Sequence, residues 1–331
     1  MTALTRRGTL MAAAATALLP LARTSPVQAA APLAGKQAAG WYRYKVGTIE
    51  VTVATDGAGT NPLSPTYVAN ATKEAVNAAL AASYLPTDKV THNYTPIVVN
   101  TGSKLVVIDT GLGPTVHQQS KGALGQFPTN IAAAGIDRNA VDTVIISHFH
   151  GDHINGLLTA DNKAAYPNAE IMVPAAEWKF WMDDGEMSKG TGNPILEGNF
   201  KNVRRVFGAL GNKVTQYDAG KEIVPGITSI ASPGHTPGHT SHVIASGSDR
   251  VLVQADITAG AALLFVRNPG WQLMFDVDKP LAEQTRRKLY DMAVAEKMRI
   301  QGFHFPFPSL GHVEKDGTGY RLVPMPWNPT I

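Results

Sequence analysis

Three histidines and an aspartate stand together at residues 148–153, immediately after a run of apolar residues. The run at 141–146 is largely β-branched, which is typical of a strand covered on both faces of a sheet. His148 and His150 are two residues apart, so in an extended segment both imidazoles project to one side and can reach one metal ion. Asp152 and His153 follow Gly151, where a turn can direct them towards a second ion about 3.5–4 Å away. The cluster therefore predicts a metal site beside a central strand.

Further histidines stand in two later clusters. Residues 233–239 contain His235 and His239, and a last cluster contains His304. Two adjacent cations repel each other and need a shared anionic ligand, which a carboxylate at a strand end can supply. Asp256, at the end of the strand predicted at 251–254, is the candidate for this role.

The chain contains no cysteine, which excludes disulfides, thiolate metal ligands and cysteine nucleophiles. Imidazole nitrogens and carboxylate oxygens without sulfur suit zinc, manganese, cobalt or iron. We therefore expect two divalent metal ions, with zinc as the first candidate.

The formal net charge of +3 originates in the amino-terminal segment. Residues 1–29 contain three arginines and no lysine or acidic residue, so the remainder has 26 basic and 26 acidic residues. A neutral remainder predicts binding to neither nucleic acid nor a membrane surface. Arg6 and Arg7, the apolar run at 10–21 and small residues near Ala29 predict a twin-arginine-like export signal, the alternative being an ordinary secretory signal. Both interpretations predict a periplasmic or secreted protein.

Apolar β-rich runs and helical segments alternate from residue 41 onwards. Strands are predicted at 41–53, 96–100, 104–108, 141–146, 171–174, 227–231, 242–245, 251–254 and 298–303. Helices are predicted at 73–83, 129–134, 177–182, 202–209 and 280–295. This mixture predicts an α/β fold with helices flanking two central sheets. The expected organisation is a signal at 1–29, a linker at 30–40, one domain at 41–323 and a tail at 324–331.

The cluster at 148–153 matches the pattern H-x-H-x-D-H in full and so resembles the metallo-β-lactamase superfamily. The turn Asp109-Thr110-Gly111, the P-G-H-T-P-G-H segment, Asp256 and His304 stand in the order of that family. The resemblance covers nearly the whole chain after the signal. It implies an αββα sandwich with a dinuclear metal site at one edge.

The resemblance also implies a role for each site residue. The first ion would be held by His148, His150 and His235. The second would be held by Asp152, His153 and His304, with Asp256 bridging the two ions. Asp109 would orient a ligand imidazole, and His239 would stand behind the ligands. Asp152 and Asp256 would also take part in catalysis.

Within the superfamily, the segments 99–106 and 303–308 most resemble exported methyl parathion hydrolases and related lactonases or arylesterases. The chain departs from the methyl parathion hydrolase pattern because Leu112 directly follows the turn, without the insertion that supplies a pocket Phe. Its loop at 64–72 carries Tyr67 and no arginine. Trp181 and Phe200 match aromatic pocket positions, so the predicted substrate pocket contains Trp181, Phe200 and Tyr67.

These features favour a dinuclear metal-dependent hydrolase that uses a bridging hydroxide on lactones or activated aryl esters, with phosphotriester hydrolysis as a side activity. The alternatives are a phosphotriester hydrolase proper and a non-catalytic periplasmic metal-binding protein. The expected partner is a small-molecule ester, lactone or phosphotriester. Relatives often form dimers, and the apolar segment 261–265 is a candidate homodimer surface.

Two histidines and one basic run are interpreted without a role in the chemistry. His92 and His117 are assigned to the surface or to loops, and His117, which follows the turn at 109–111, is also a candidate to line the pocket. Residues 286–288, Arg-Arg-Lys, are assigned to a solvated helix face.

Overall fold

The computed structural model describes residues 31, 33–35, 37–211 and 213–331. The export signal predicted at residues 1–29 lies outside the described residues. Contacts divide the chain into residues 1–38 and a compact second unit, Ala39–Ile331. The described part of the first unit has no regular secondary structure. All elements below belong to the second unit, which begins two residues before the predicted domain start.

The first of two seven-stranded sheets has the strand order β1-β2-β5-β6-β7-β8-β9. Its strands are β1 (Trp41–Val46), β2 (Ile49–Ala54), β5 (Ile97–Asn100), β6 (Leu105–Ile108), β7 (Thr143–Ile145), β8 (Glu170–Pro174) and β9 (Val214–Tyr217). The strands β6 to β9 run parallel, whereas β1, β2, β5 and β6 pair antiparallel.

The second sheet follows chain order from β10 to β16. Its strands are β10 (Glu222–Val224), β11 (Ile227–Ala231), β12 (Thr240–Ser246), β13 (Asp249–Ala255), β14 (Arg299–Gly302), β15 (Leu310–Asp316) and β16 (Gly319–Pro324). Only the pair β13 and β14 is parallel in this sheet. A separate hairpin consists of β3 (Gly57–Pro62) and β4 (Lys89–Tyr94).

Nine α-helices are present in the described residues. They are α1 (Lys73–Ala81), α2 (Gly113–Gln119), α3 (Phe127–Ala133), α4 (Gly151–Ile154), α5 (Ala175–Trp181), α6 (Asp184–Lys189), α7 (Pro194–Leu210), α8 (Ala262–Arg267) and α9 (Lys279–Ala295). Short 3₁₀ turns occur at Arg138–Ala140 and Asn155–Leu157. No helix among these residues has both the length and the apolar character that a membrane crossing requires.

Three layers of apolar side chains define an αββα sandwich. Alternate residues of one strand serve different layers: Val107 packs with helices α3 and α7, whereas Val106 faces the second sheet. The far side of the second sheet packs on α8 and α9 through residues such as Leu252 and Tyr290. The period-two alternation of a strand produces this arrangement, because each face of each sheet is covered. The predicted fold class is confirmed.

Several boundaries differ from the predictions for local physical reasons. The strand predicted at 41–53 is two antiparallel strands that meet at Gly47, where φ is +56°. The helix predicted at 202–209 already begins at Pro194, because the side chain of Asn193 accepts hydrogen bonds from the first helical amides. The hairpin β3–β4 was not predicted, since glycine and proline make β3 a weak strand former. The strand β16 ends at Pro324, the first residue of the predicted tail.

Asp56 joins the first sheet to the loop and helix that border its edge. The carboxylate is fully buried and accepts hydrogen bonds from the backbone amides of Leu112 and Phe127, both at 2.7 Å. It lies so close to Gly111, which has φ +81°, that a Cβ there would be 2.5 Å from Asp56 Oδ2. Asp56 therefore determines the path of the chain after β6.

We expect Asp56→Ala to lower the free energy of unfolding by about 2–4 kcal/mol, because two buried amide donors lose their acceptor. Urea-induced unfolding followed by circular dichroism measures the change. Asp316→Ala, at an exposed strand end, is the matched control and should match the parent protein within about 0.5 kcal/mol. Equal stability of the two variants would contradict the role of Asp56.

Candidate metal centre

The predicted ligands follow the carboxyl ends of strands in both sheets. β7 ends at Ile145 and leads into His148, β13 ends immediately before Asp256, and β14 ends two residues before His304. Carboxyl ends of parallel strands meet at one edge of a sheet, so these segments converge. Ala255, which directly precedes Asp256, has a left-handed backbone with φ +48°. Such a conformation is costly for a residue other than glycine and recurs at functional sites.

All seven predicted ligands lie in two adjacent groups. The first group is His148, His150 and His235, and the second is Asp152, His153, Asp256 and His304. In the first group, His150 Nδ1 lies 3.2 Å from His148 Nε2 and 2.9 Å from His235 Nε2. Nitrogen ligands about 2.0–2.1 Å from one tetrahedral ion are themselves about 3.3 Å apart. The spacing of the first group therefore fits a single ion.

The Asp256 carboxylate lies between the two groups. Its Oδ2 is 3.3 Å from His235 Nε2 and 3.8 Å from His148 Nε2, both in the first group. The same carboxylate is 3.3 Å from His153 Nε2 through Oδ1 and 3.1 Å from His304 Nε2 through Oδ2. This is the position that a shared ligand needs.

Two unpartnered buried atoms show that the residues present suit metal ions. His153 Nε2 and Asp256 Oδ1 are buried, face each other and form no hydrogen bond among the described residues. Buried polar atoms without a partner are rare because they lose the solvation free energy they have in water. A divalent cation satisfies a nitrogen lone pair and a carboxylate oxygen together, so the donor set fits two such ions.

Outer hydrogen bonds orient the ligand imidazoles. His153 Nδ1 donates to Asp109 Oδ2 and His235 Nδ1 donates to Asp276 Oδ1, both at 2.8 Å. His304 Nδ1 donates to the backbone oxygen of Asn93 at 2.7 Å. In each case Nδ1 carries the ring proton, so Nε2 points at the site with a free lone pair. This is the tautomer that binds a metal ion through Nε2. Asp109 therefore lies where the sequence predicted it, whereas Asp276 was not predicted.

The carboxylates favour positive charge in the centre of the site. Burial opposes a charge on His235, but Asp256 and Asp276 outweigh it and raise the pKa of His235 to about 9. Burial likewise opposes a charge on His153, yet Asp256 and Asp109 bring its pKa well above the ordinary value. Burial holds the pKa of His148 well below that value. The carboxylates thus attract positive charge to the site, which bound cations would supply.

His239 and Glu177 support the ligand loops from behind. His239 is buried, and its Nε2 accepts a hydrogen bond from the Asp256 amide at 3.0 Å, which agrees with its predicted place. Glu177 is fully buried on α5 and accepts from the amides of Phe149 at 3.0 Å and Gly238 at 2.8 Å. It thereby joins the two histidine-bearing loops. The signal for it in the sequence is weak: one acidic residue in an otherwise aromatic and alanine-rich helix.

Arg286 is buried, contrary to its predicted place on a solvated helix face. Its side chain is 2% exposed and donates to the backbone oxygens of Ile257 at 2.7 Å and Pro269 at 2.6 Å. Its Nη2 lies 3.5 Å from Asp276 Oδ2, which partly balances the buried carboxylate behind His235. The basic run at 286–288 did not indicate this pairing. The partners of Arg286 are Ile257, Pro269 and Asp276, which precede its helix in the chain.

A cavity of about 290 Å³ opens above the ligands. His150, Asp152, Asp256 and His304 lie in its lining. Its walls include the apolar or aromatic residues Tyr94, Leu112, Ile195 and Phe275. No lysine or arginine occurs among the described residues that line it.

The predicted pocket residues lie elsewhere. Trp181 and Phe200 are 0% exposed and pack in the helical layer of the first sheet, with ring centroids 4.7 Å apart, so neither forms part of the cavity wall. Tyr67 is buried as well and reaches the cavity only through His92, to which its Oη lies at 3.2 Å. His92 itself lines the cavity, contrary to its predicted surface or loop position. The ring of His117 instead hydrogen-bonds to Leu124 O at 3.0 Å.

The segment 261–265 offers little apolar surface to a second copy of the chain. Ala261, Ala262, Leu264 and Phe265 are buried within the chain. Phe265 packs with Tyr67 in the cluster under the hairpin. Apolar character at this segment therefore reflects internal packing.

Comparisons with known proteins agree with this geometry. Residues 92–295 match the family model of the metallo-beta-lactamase superfamily. An N-acyl homoserine lactonase of Bacillus sp is 27% identical over 184 residues, which are 55% of this chain and 59% of that protein. The N-acyl homoserine lactonase AttM of Agrobacterium fabrum is 29% identical over 129 residues, 37% of this chain and 43% of that protein. The chain thus spans about half the length of the curated relatives it matches.

Two solved structures share the fold over most of the chain. The hydrolase AbOPH of the beta lactamase superfamily aligns with a TM-score of 0.78 at 27% identity and covers 88% of this chain and 100% of its own. AidC, a dizinc quorum-quenching lactonase in complex with a product, aligns with a TM-score of 0.79 at 24% identity, over 87% of this chain and 98% of its own. The AidC alignment bears on the fold alone.

We expect the purified protein to bind two divalent ions per chain, measured by elemental analysis after zinc loading and desalting. His150→Ala should lower the content to about one ion, because only the first group loses a ligand. Asp256→Ala should lower it further, because both groups lose their common carboxylate. His312→Ala, outside both groups, is the control and should retain two ions. Two ions retained by Asp256→Ala would contradict the shared site.

Proposed function

The chain belongs to the metallo-beta-lactamase superfamily, and from this we propose that it is a metal-dependent hydrolase of lactones. The observation that supports the proposal most is the pair of ligand groups around Asp256, at the base of a cavity whose other lining residues carry no charge. A metal-storage protein needs neither a shared carboxylate nor an open cavity over its ligands. This counts against a non-catalytic metal-binding protein.

Two divalent ions bound in these groups would supply a Lewis acid for a carbonyl oxygen and a readily ionised water. The residues of the chain supply orientation and proton transfer. Asp152 is the most suitable proton carrier, because its side chain is 20% exposed and lines the cavity, whereas Asp256 is 3% exposed. Its Oδ2 lies 3.4 Å from His304 Nε2, which holds the carboxylate beside the reacting centre. From there it can accept the proton that the attacking water loses and deliver it to the alkoxide that ring opening releases.

The walls of the cavity favour a neutral substrate. A phosphomonoester or a nucleic acid carries charge that such enzymes neutralise with lysine or arginine. The described lining residues include neither. Neutral lactones, aryl esters and phosphotriesters all remain compatible with the walls.

The similar proteins favour lactones within this set. The two curated relatives are N-acyl homoserine lactonases, matched over part of their length. AidC, with the same fold, is a dizinc lactonase with a homoserine product bound. We therefore propose zinc as the metal and cyclic esters as the main substrate, with aryl esters and phosphotriesters hydrolysed more slowly.

Steady-state kinetics on the zinc-loaded protein test this order. We expect kcat/KM for N-hexanoyl-homoserine lactone to exceed the values for phenyl acetate and methyl parathion by at least about tenfold, a difference of about 1.4 kcal/mol in transition-state binding. Asp152→Asn should lower kcat about 100-fold because a carboxylate ligand and the proton carrier are lost together. His312→Ala should retain the parent rates.

Two results would contradict the proposal. A methyl parathion rate above the lactone rate would support a phosphotriester hydrolase instead. Two bound ions without turnover of any of the three substrates would support a metal-binding protein.

A further inference from the structure

His92 lies in the cavity wall beside the metal ligands. It pairs with Gly59 across the hairpin of β3 and β4. Its ring stands edge-on to the rings of Phe275 and His304, with centroid distances of 6.4 and 6.5 Å. His92 is therefore about one side chain away from the second ligand group. A substrate whose reacting carbonyl lies at the metal ligands would therefore meet His92 with a neighbouring group.

A buried tyrosine determines which nitrogen of His92 carries the proton. The Tyr67 hydroxyl accepts a hydrogen bond from the Ala261 amide at 2.7 Å and lies 3.2 Å from His92 Nε2. Tyr67 is 2% exposed, so its own O–H needs an acceptor inside the protein. His92 Nε2 is the acceptor within reach. When Nε2 accepts this bond, the ring proton resides on Nδ1.

Gly260 leaves the space needed by a hydrogen-bond relay that runs from the Ala261 amide through the Tyr67 hydroxyl to His92 Nε2. Its φ is +63°, and a Cβ at this position would lie 2.3 Å from Tyr67 Oη and 3.4 Å from His92 Nε2. Any larger residue would push the tyrosine hydroxyl away from the Ala261 amide. The backbone at residues 260–261 is therefore fitted closely to the relay.

We propose that His92 Nδ1–H donates a hydrogen bond to a neutral acceptor oxygen of the substrate outside the bond that is cleaved. This inference rests on the proposed lactone hydrolysis and names the residue that would recognise the acylamino substituent of a lactone ring. Nδ1 has no hydrogen-bond partner among the described residues, so the donor is available to a molecule in the cavity. The neighbouring wall residues Phe275 and Ala259 have no side-chain donor, whereas Tyr94, Asn155 and Asn199 carry donors of their own in the lining. His92 is in this account a specificity-determining residue.

Two lactones that differ in one acceptor test the role of His92. N-hexanoyl-homoserine lactone has an amide carbonyl beside the ring, and α-hexyl-γ-butyrolactone has an alkyl chain there. With the zinc-loaded full chain, His92→Phe should raise KM for the first about tenfold, the loss expected for one hydrogen bond, and leave kcat within about twofold. For the second lactone both constants should stay within about twofold. His92→Asn, whose amide nitrogen can replace Nδ1, should restore most of the KM.

The outcomes separate the two proposals. If the parent protein opens neither lactone, the proposed function fails. If it opens both and His92→Phe affects them equally, or affects neither, the role of His92 fails while lactone hydrolysis stands.

The tautomer of His92 is a second test that needs no variant. Long-range ¹H–¹⁵N correlation spectra of the ¹⁵N-histidine-labelled, zinc-loaded protein should show His92 protonated on Nδ1 and unprotonated on Nε2. Tyr67→Phe should abolish this preference, since the donor to Nε2 is removed. A proton on Nε2 in the parent protein would overturn the proposal.

Discussion

The Asp256 carboxylate is the group on which the rest of the structure depends. It lies within 3.8 Å of imidazole nitrogens contributed by both sheets: His148 and His153 follow the first sheet, while His235 and His304 belong to the second. A carboxylate that is 3% exposed is costly unless positive charge surrounds it. The two halves of the sandwich therefore meet at this edge around a charge that cations and imidazoles must balance.

The surrounding buried charges follow from the same requirement. Asp109, Asp276 and Glu177 lie behind the ligands, and each accepts hydrogen bonds from an imidazole or from the backbone of a ligand-bearing loop. Arg286 in turn faces Asp276 and holds the loop that includes Ile257. A buried polar group of this kind is stable only when its partners are in place, so the network fixes the ligand positions. Rigid ligands in turn favour a defined coordination geometry over adaptable binding.

The sequence predicted those parts of the site that are encoded locally. The cluster at 148–153 is visible because its spacing is set within one strand and one turn, and Asp256 because it ends an apolar strand. Glu177, Asp276 and His92 were missed or misassigned because their roles come from partners 25 to 61 residues away along the chain. Trp181 and Phe200 show the opposite error. Their match to aromatic pocket positions of similar hydrolases indicated a pocket, but three-dimensional packing places them in a core layer.

Anomalous X-ray diffraction from crystals of the zinc-loaded protein, recorded above and below the zinc edge, tests the central claim most directly. We predict two peaks, one among His148, His150 and His235 and the other among Asp152, His153 and His304, with the Asp256 carboxylate between them. A single peak, or peaks away from Asp256, would contradict the account.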